Sequence, residues 1–283
     1  MELDLLEENQ IFGKNRLNIF KTKGYGTLMV PVTDFAIINN VSHSIEYLNM
    51  FGEENIKIGE WWIKDRGNFD TFAKYVSIVG NINDSFVFSD INSIRLCVPY
   101  HEIENISLIT KEINDNIFEV ISGEYPQKIV SNKQELLDLN KVCNDNLTGK
   151  SYNKCNEFSY NGKKYICYHI MNNSLRYVFL NNKVSIMYSG DYFFEVKPIE
   201  WVVDKEADIA ICKKLIVPGI AFDDKEYNGN FKDTTIYKYM NEVLVNEIFN
   251  NKIKQKNDDK NKEFVSINNK IKTLRKRIDN IRK

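Results

Sequence analysis

A chain of 283 residues, 43% hydrophobic and 12% aromatic, is long and apolar enough for one large globular domain or two small ones. No run approaches the roughly 18 apolar residues of a membrane span, and the acidic start MELDLLEENQ does not read as a secretory leader. The formal net charge of −1 hides an uneven distribution: residues 251–283 carry 12 Lys+Arg against 4 Asp+Glu, a net of +8, and the rest has 26 against 35, a net of −9. The cysteines, Cys97, Cys143, Cys155, Cys167 and Cys212, are five in number and form no CxxC pair, so reduced buried thiols in a cytoplasm are expected.

In chain order, residues 1–15 are polar and read as a loose arm or short helix. Leu17–Phe20 and Thr27–Val32 read as short strands around the turn Gly24-Tyr25-Gly26. Ser42 is placed to cap a helix running through Ile45 and Leu48 to Phe51. In Glu60–Gly67, the adjacent Trp61 and Trp62 face opposite sides of a strand, which predicts one in the core and the other in a cleft or between layers. Ala73–Val79, Ser85–Phe88 and Ile94–Val98 are β-rich runs separated by Gly80-Asn81 and Asp90-Ile91-Asn92, the pattern of antiparallel hairpins. Ile117–Ile121 predicts a strand leading into Gly123-Glu124-Tyr125-Pro126-Gln127. Asn132 with Glu135 three residues on predicts a capped short helix carrying Leu136, Leu137, Leu139 and Val142.

Phe158–Tyr160 and Tyr165–Tyr168 flank Asn161-Gly162, the strongest short-range hairpin signal in the chain, with Lys163-Lys164 leaving the turn length open. Asn181-Asn182 joins Arg176–Leu180 to Val184–Tyr188. Asp191–Phe222 is the most apolar stretch, and the rest is organised around it. There Phe194 and Val196 alternate with Glu195 and Lys197, and after Pro198 the parity flips to Ile199, Trp201 and Val203. A bulge or a change of sheet partner at Pro198 accounts for the flip, because proline donates no ladder hydrogen bond. Ala207–Ile211 reads as the returning strand. Asp233 is placed to cap a helix with Ile236, Met240, Val243, Leu244 and Ile248 on one face. After the charged linker Lys252–Lys262, Phe264, Ile267, Ile271, Leu274, Ile278 and Ile281 form a heptad. The expected fold is α+β, with a mostly antiparallel β core and a basic C-terminal heptad helix.

Two blocks carry a resemblance to a domain family of unknown function common in phage and clostridial proteins. One is Gly123–Gln127, then Pro198-Ile199-Glu200-Trp201, then Ile209–Lys214, ending in Phe231–Phe249. The other is Glu60–Gly67, continuing through Ala73 and Val76 to Ile94-Arg95-Leu96-Cys97-Val98-Pro99. The blocks stand in permuted order, and Lys64-Asp65-Arg66 departs from the family's pattern. The second block is similar to C-type-lectin-like folds of the formylglycine-generating-enzyme group. The resemblance implies a lectin-like segment over 1–122, a β-rich segment with a closing helix over 123–250 and the basic helix over 251–283. It also implies phage or mobile-element origin and recognition, and it carries over no catalytic residue. The copper-binding cysteine pair of those enzymes has no counterpart in Cys143 and Cys155.

The chain has no P-loop, GxGxxG, HExxH or GxSxG motif. His43, His101 and His169 are far apart, and Asp204, Glu206, Asp208, Asp223, Asp224 and Glu226 read as solvated turns rather than cation ligands. No cofactor or metal is implied. Trp61, Trp62 and Arg66 are a candidate ligand platform, since tryptophan and arginine dominate binding hot spots; the alternative is two core rings and a structural ion pair.

In the tail, Lys270, Arg275, Arg277 and Arg282 flank the heptad and are all positive, so two tails side by side would align like charges. Phe264, Ile267, Ile271, Leu274, Arg275, Arg277, Ile278 and Ile281 are therefore expected to meet an acidic surface, the protein's own or a partner's. Nucleic acid is disfavoured, because the acidic body repels phosphate and the tail lacks interleaved aromatics. The function expected is non-enzymatic recognition of a protein or ligand. The alternatives are an anti-defence inhibitor whose acidic body mimics nucleic acid, and an enzyme of unrecognised chemistry.

Overall fold

The computed structural model describes residues 1–44, 56–146, 156–170, 176–180, 183–187 and 190–249. The heptad, its linker, Cys155 and the stretch from Ile45 to Phe51 lie outside the described residues. Strands in chain order are β1 (Val30–Pro31), β2 (His43–Ser44), β3 (Ile58–Gly59), β4 (Trp61–Arg66), β5 (Phe72–Val76), β6 (Ile82–Phe86), β7 (Ser93–Ile94) and β8 (Cys97–Pro99). There follow β9 (Leu108–Glu112), β10 (Ile117–Ile129), β11 (Asn156–Tyr160), β12 (Lys163–Ile170), β13 (Arg176–Leu180), β14 (Lys183–Met187), β15 (Gly190–Asp204) and β16 (Ile209–Cys212). The helices are α1 (Glu8–Ile11), α2 (Asp34–Ile38), α3 (Tyr100–Ile103), α4 (Lys133–Asn146) and α5 (Thr235–Lys238). The architecture is α+β with mostly antiparallel sheets, as the residue patterns predict.

β15 is the axis of the largest sheet. One edge pairs with β10 along most of its length, from Phe194 opposite Ile129 to Asp204 opposite Ile117. The other edge changes partner. Gly190–Val196 pairs with β12 and Trp201–Asp204 with β16, so Pro198 falls where that edge has no strand neighbour and its missing N–H leaves no gap in a ladder. The parity flip thus coincides with the change of partner. Two register shifts lie nearby, and in both the extra residue sits in β10 rather than beside Pro198. Gln127 spans this irregularity, its Nε2 donating to the carbonyls of Lys197 at 3.0 Å and Pro198 at 3.1 Å.

Gly123 lies in the first bulge with φ +69, and a Cβ there would stand 2.6 Å from Ile248 Cγ2. Gly123→Ala should cost about 2–4 kcal/mol, from left-handed strain plus overpacking. Gly162, at φ +75 with open space around it, should cost about 1–2 kcal/mol for the same change. Equal losses in urea denaturation would contradict the packing argument.

Asn161 (φ 49) and Gly162 form a two-residue turn that puts Tyr160 opposite Lys163, so the lysines pair within the hairpin rather than lengthen its turn. Asn132 Oδ1 accepts from Glu135 N at 3.0 Å and caps α4, as the sequence predicts. Leu139 of α4 is buried with Phe193 and Tyr165 in a satellite core, whereas Leu137 is exposed.

The closing helix is capped by Thr234, which accepts from Tyr237 N, and not by Asp233. It passes from α5 into a π-helical segment, Tyr239–Leu244, and back to α over residues 245–249. Ile236, Met240, Leu244 and Ile248 are all buried at a spacing of four. A row of that spacing drifts around an α-helix, and the wider π turn holds it on one face. Val243, expected on the same face, is exposed.

Several local expectations are corrected. Leu17–Phe20 is not a strand; Asn18–Lys21 is a 3₁₀ turn, because Asp204 Oδ2 accepts from Asn18 N at 2.7 Å. His43 and Ser44 extend on β3 instead of opening a helix. β7 runs parallel to β4 and is split from β8, so Ile94–Val98 serves two sheets rather than one hairpin. Of the two readings of residues 1–15, a loose arm or a short helix, the second holds: Glu8–Ile11 is α1, and Leu3, Leu5 and Leu6 are buried, with Asp4 bridged to Cys97. The proposed boundary at 122/123 falls inside β10, and one buried cluster spans Leu3 to Phe249, so the two segments share a core.

Candidate recognition surface

Trp61 and Trp62 do not divide between core and cleft; both rings are 0% exposed. β4 lies between layers, and each face has its own cover. Trp61 Nε1 donates to Leu28 O at 3.2 Å, and the Arg95 guanidinium sits 5.3 Å from its ring. Trp62 Nε1 donates to Ile220 O at 2.8 Å, and its ring meets Phe222 edge-on at 5.5 Å. Arg66 is half exposed and ion-paired with Asp70. Trp61, Trp62 and Arg66 therefore make no shared platform: two are core rings, and the third is a surface pair.

Arg95 is itself buried, donating Nε to Cys212 O at 3.3 Å. Burial lowers its pKa to about 10, which leaves it protonated at neutral pH. Its Nη1 and both side-chain polar atoms of Asn92 have no hydrogen-bond partner among the described residues.

The other candidate residues are structural. Asp204 is buried and caps the turn at Asn18 and Ala207. Asp223 accepts from Thr235 Oγ1 at 2.9 Å. Among the described residues no group of three His, Cys, Asp or Glu is arranged to hold a metal ion. Cys97, Cys143 and Cys212 are free thiols, and all three are buried, as is Cys167. His169 Nδ1 lies 2.6 Å from Asp191.

His101 is exposed and bonded through Nδ1 to the Asp208 carboxylate. That bond raises the imidazole above its ordinary value. The Asp208 carboxyl is held below its own by the His101 bonds, which outweigh its partial burial. The pair's contribution is therefore lost as pH rises through the raised histidine value, and also as pH falls through the lowered carboxyl value. In an NMR titration His101 should have its midpoint above about 6.5, and Asp208→Asn should bring it down. An unmoved midpoint would contradict the pairing.

The surface feature that stands out lies on the β5–β6 hairpin. Gly80 at φ +80 and the bond from Ser77 N to Asn81 O at 2.8 Å close its turn, and β5 and β6 pair from Val76–Ile82 to Phe72–Phe86. Beyond β6 the chain turns, Ser89 N donating to Phe86 O at 2.9 Å, while Val87 N donates to Thr71 O and Val87 O accepts from Asp223 N at 3.0 Å. Within this turn Val87 is fully buried, and Phe86 and Phe88 on either side of it are exposed. They stack at 5.0 Å and 20°, Phe72 lies 4.4 Å from Phe86, and Phe69 lies 5.6 Å from Phe72.

Four phenylalanines thus form one continuous row, with Phe69, Phe86 and Phe88 at 66%, 48% and 60% exposure. Fully burying one such ring is worth roughly 1.5–3 kcal/mol, a driving force left unused here. The row is held rigidly. Gly67 permits close approach of Phe72, whose Cβ would stand 2.6 Å from a Cβ at that position, and Asn68 N bonds Asp84 at 2.9 Å. β6 is the outer strand of its sheet, and among the described residues no strand pairs with its second edge beside the row.

The residue pattern predicts a strand over Ser85–Phe88, where β6 ends at Phe86 and a turn follows, and it does not report the row. The signal was four phenylalanines set among polar residues at 69, 72, 86 and 88. A charged cleft of about 450 Å³ is lined in part by Arg66. Lys64 bonds Asp4 at 2.9 Å and Glu7 at 3.1 Å there, and Lys232 bonds Glu2 at 3.0 Å. No helix among the described residues is long and apolar enough to cross a membrane. Comparison of the chain with known protein families, with curated proteins and with solved structures finds no match.

Proposed function

We propose that the protein is a non-enzymatic recognition module that binds a protein partner through the phenylalanine row. The observation that carries this reading is the exposure of Phe69, Phe86 and Phe88 in one stacked row on an ordered sheet edge. Aromatic anchors clustered on a rigid surface are the usual centre of binding energy, and the outer edge of β6 offers backbone groups beside them.

The likeness to C-type-lectin-like display scaffolds of phage or mobile-element origin belongs to this reading. It is supported by the motif residues themselves: Gly123, Gln127, Trp201, Trp61 and Arg95 all serve packing or bulge geometry, as residues of a scaffold do. The basic heptad from Phe264 to Ile281 is proposed as a second contact, helical and docked on an acidic surface. The net −9 of the remaining chain also favours an inhibitor that meets a basic channel of a host effector in the cytoplasm.

Affinity capture from host lysate tests the proposal. Wild-type protein should retain a single dominant host protein, and the Phe86→Ser, Phe88→Ser double variant should not. Equal retention by both would refute the row as the contact.

A further inference from the structure

A second site lies beside the β10 bulge. Between α2, the β10 bulge region and the closing helix is a pocket of about 310 Å³, within the range of small-ligand sites. Its floor is aromatic. Phe35 and Tyr125 are buried and meet edge-on at 5.8 Å, and Tyr239 lines the side from the π-helical segment. Its rim is acidic. Glu124, Glu157 and Glu247 border it, and Lys164, bonded to Glu124 and 3.8 Å from Glu157, is the cation engaged with them. Glu247 has no hydrogen bond or ion pair to another described residue, and partial burial raises its pKa. Burial also lifts Tyr239 to about 12, so its ring stays neutral and electron-rich at neutral pH.

We infer that this pocket binds a small organic cation of the alkylammonium class, with the aromatic floor taking the alkyl groups and the carboxylate rim the charge. Among the described residues bordering the pocket or engaged with its rim, three carboxylates stand against one lysine. A neutral aromatic face beside the rim adds attraction for a cation that has shed its water. A simple inorganic cation would not use the aromatic floor, and an anion would meet the rim as a like charge.

Choline and its neutral isostere 3,3-dimethylbutan-1-ol test the inference by titration against the full chain, followed by calorimetry and by tyrosine ring resonances. Choline should bind with a Kd near or below about 1 mM and shift the Tyr125 and Tyr239 resonances. The neutral isostere should bind at least about tenfold more weakly. Glu247→Gln should weaken choline about tenfold without lowering the thermal midpoint, because it removes a partly desolvated charge. Tyr239→Leu provides a second variant acting on the floor and should also weaken choline. Equal affinity for choline and the isostere, unchanged affinity in both variants, or no choline binding would overturn the assignment. Capture through the phenylalanine row is unaffected by any of these outcomes, so the two sites stand or fall separately.

Discussion

Replacing Trp201 with alanine is expected to remove about 3–5 kcal/mol of folding stability, the largest single loss the fold suggests. The ring is 0% exposed and stacks on Phe249 at 6.3 Å and 22°, which ties the long central strand to the end of the closing helix. Its Nε1 donates to Ser122 O at 2.9 Å, the residue before the Gly123 bulge. The alanine variant therefore leaves a cavity and also an unpaired buried carbonyl, which alone costs about 1–3 kcal/mol. Against a total of about 5–15 kcal/mol for a typical domain, that is a large fraction. Trp201→Phe keeps most of the ring and loses only the hydrogen bond, so it should cost less than half as much. The check is urea denaturation of both variants. A midpoint for Trp201→Ala equal to that of the parent would contradict the role of this ring as the clasp between strand and helix.

The second large effect is on binding rather than folding. Phe86→Ser with Phe88→Ser should weaken the partner complex by about 100- to 1000-fold, taking roughly 2 kcal/mol for each anchor and 1.4 kcal/mol per decade. Serine is preferred to aspartate because Asp84 already lies beside the row, and an added charge would confuse lost contact with repulsion. Each ring is about half exposed, so stability should fall by no more than about 1 kcal/mol for the pair, roughly 0.5 kcal/mol for each surface substitution. A variant that loses binding and stability together would point to unfolding instead of a removed contact. One that loses neither would return the row to ordinary exposed apolar surface.

The contrast between these residues shows what could be read from the chain. Trp201 was legible because burial there follows a local rule: apolar residues alternate, and the parity flip at Pro198 marks a change of neighbour without needing to know the neighbour. Asn161-Gly162 and Asn132 with Glu135 are legible for the same reason, since turn and cap chemistry act over two to four residues. Leu3, Leu5 and Leu6 are not. Their polar context suggests a loose arm or a short helix, and their burial depends on Asp4 meeting Cys97 and on Leu3 N donating to Asn241 Oδ1 at 2.8 Å, contacts from distant parts of the chain. For Trp61, Trp62 and Arg66 the residues leave two readings open, a ligand platform or two core rings with a structural ion pair, and the structure shows the second. Alternation places the two rings on opposite faces correctly, but only the three-dimensional arrangement reveals that both faces of β4 are covered. The phenylalanine row is not legible because exposure is set by Val87, which is pinned inward by Asp223 N, more than 130 residues away in sequence. Core positions announce themselves by period. An exposed surface is defined by what does not cover it, and no local pattern reports that.

Site-specific photocrosslinking tests the central claim most directly. A benzophenone side chain placed at Phe88 reports on the row, and the same group at Leu137 on α4, which is 51% exposed, reports on an unrelated surface. In host cells the Phe88 probe should give one dominant protein adduct that the Leu137 probe does not give. Equal adducts at both positions, an adduct at Leu137 alone, or none at Phe88 would contradict recognition through the phenylalanine row.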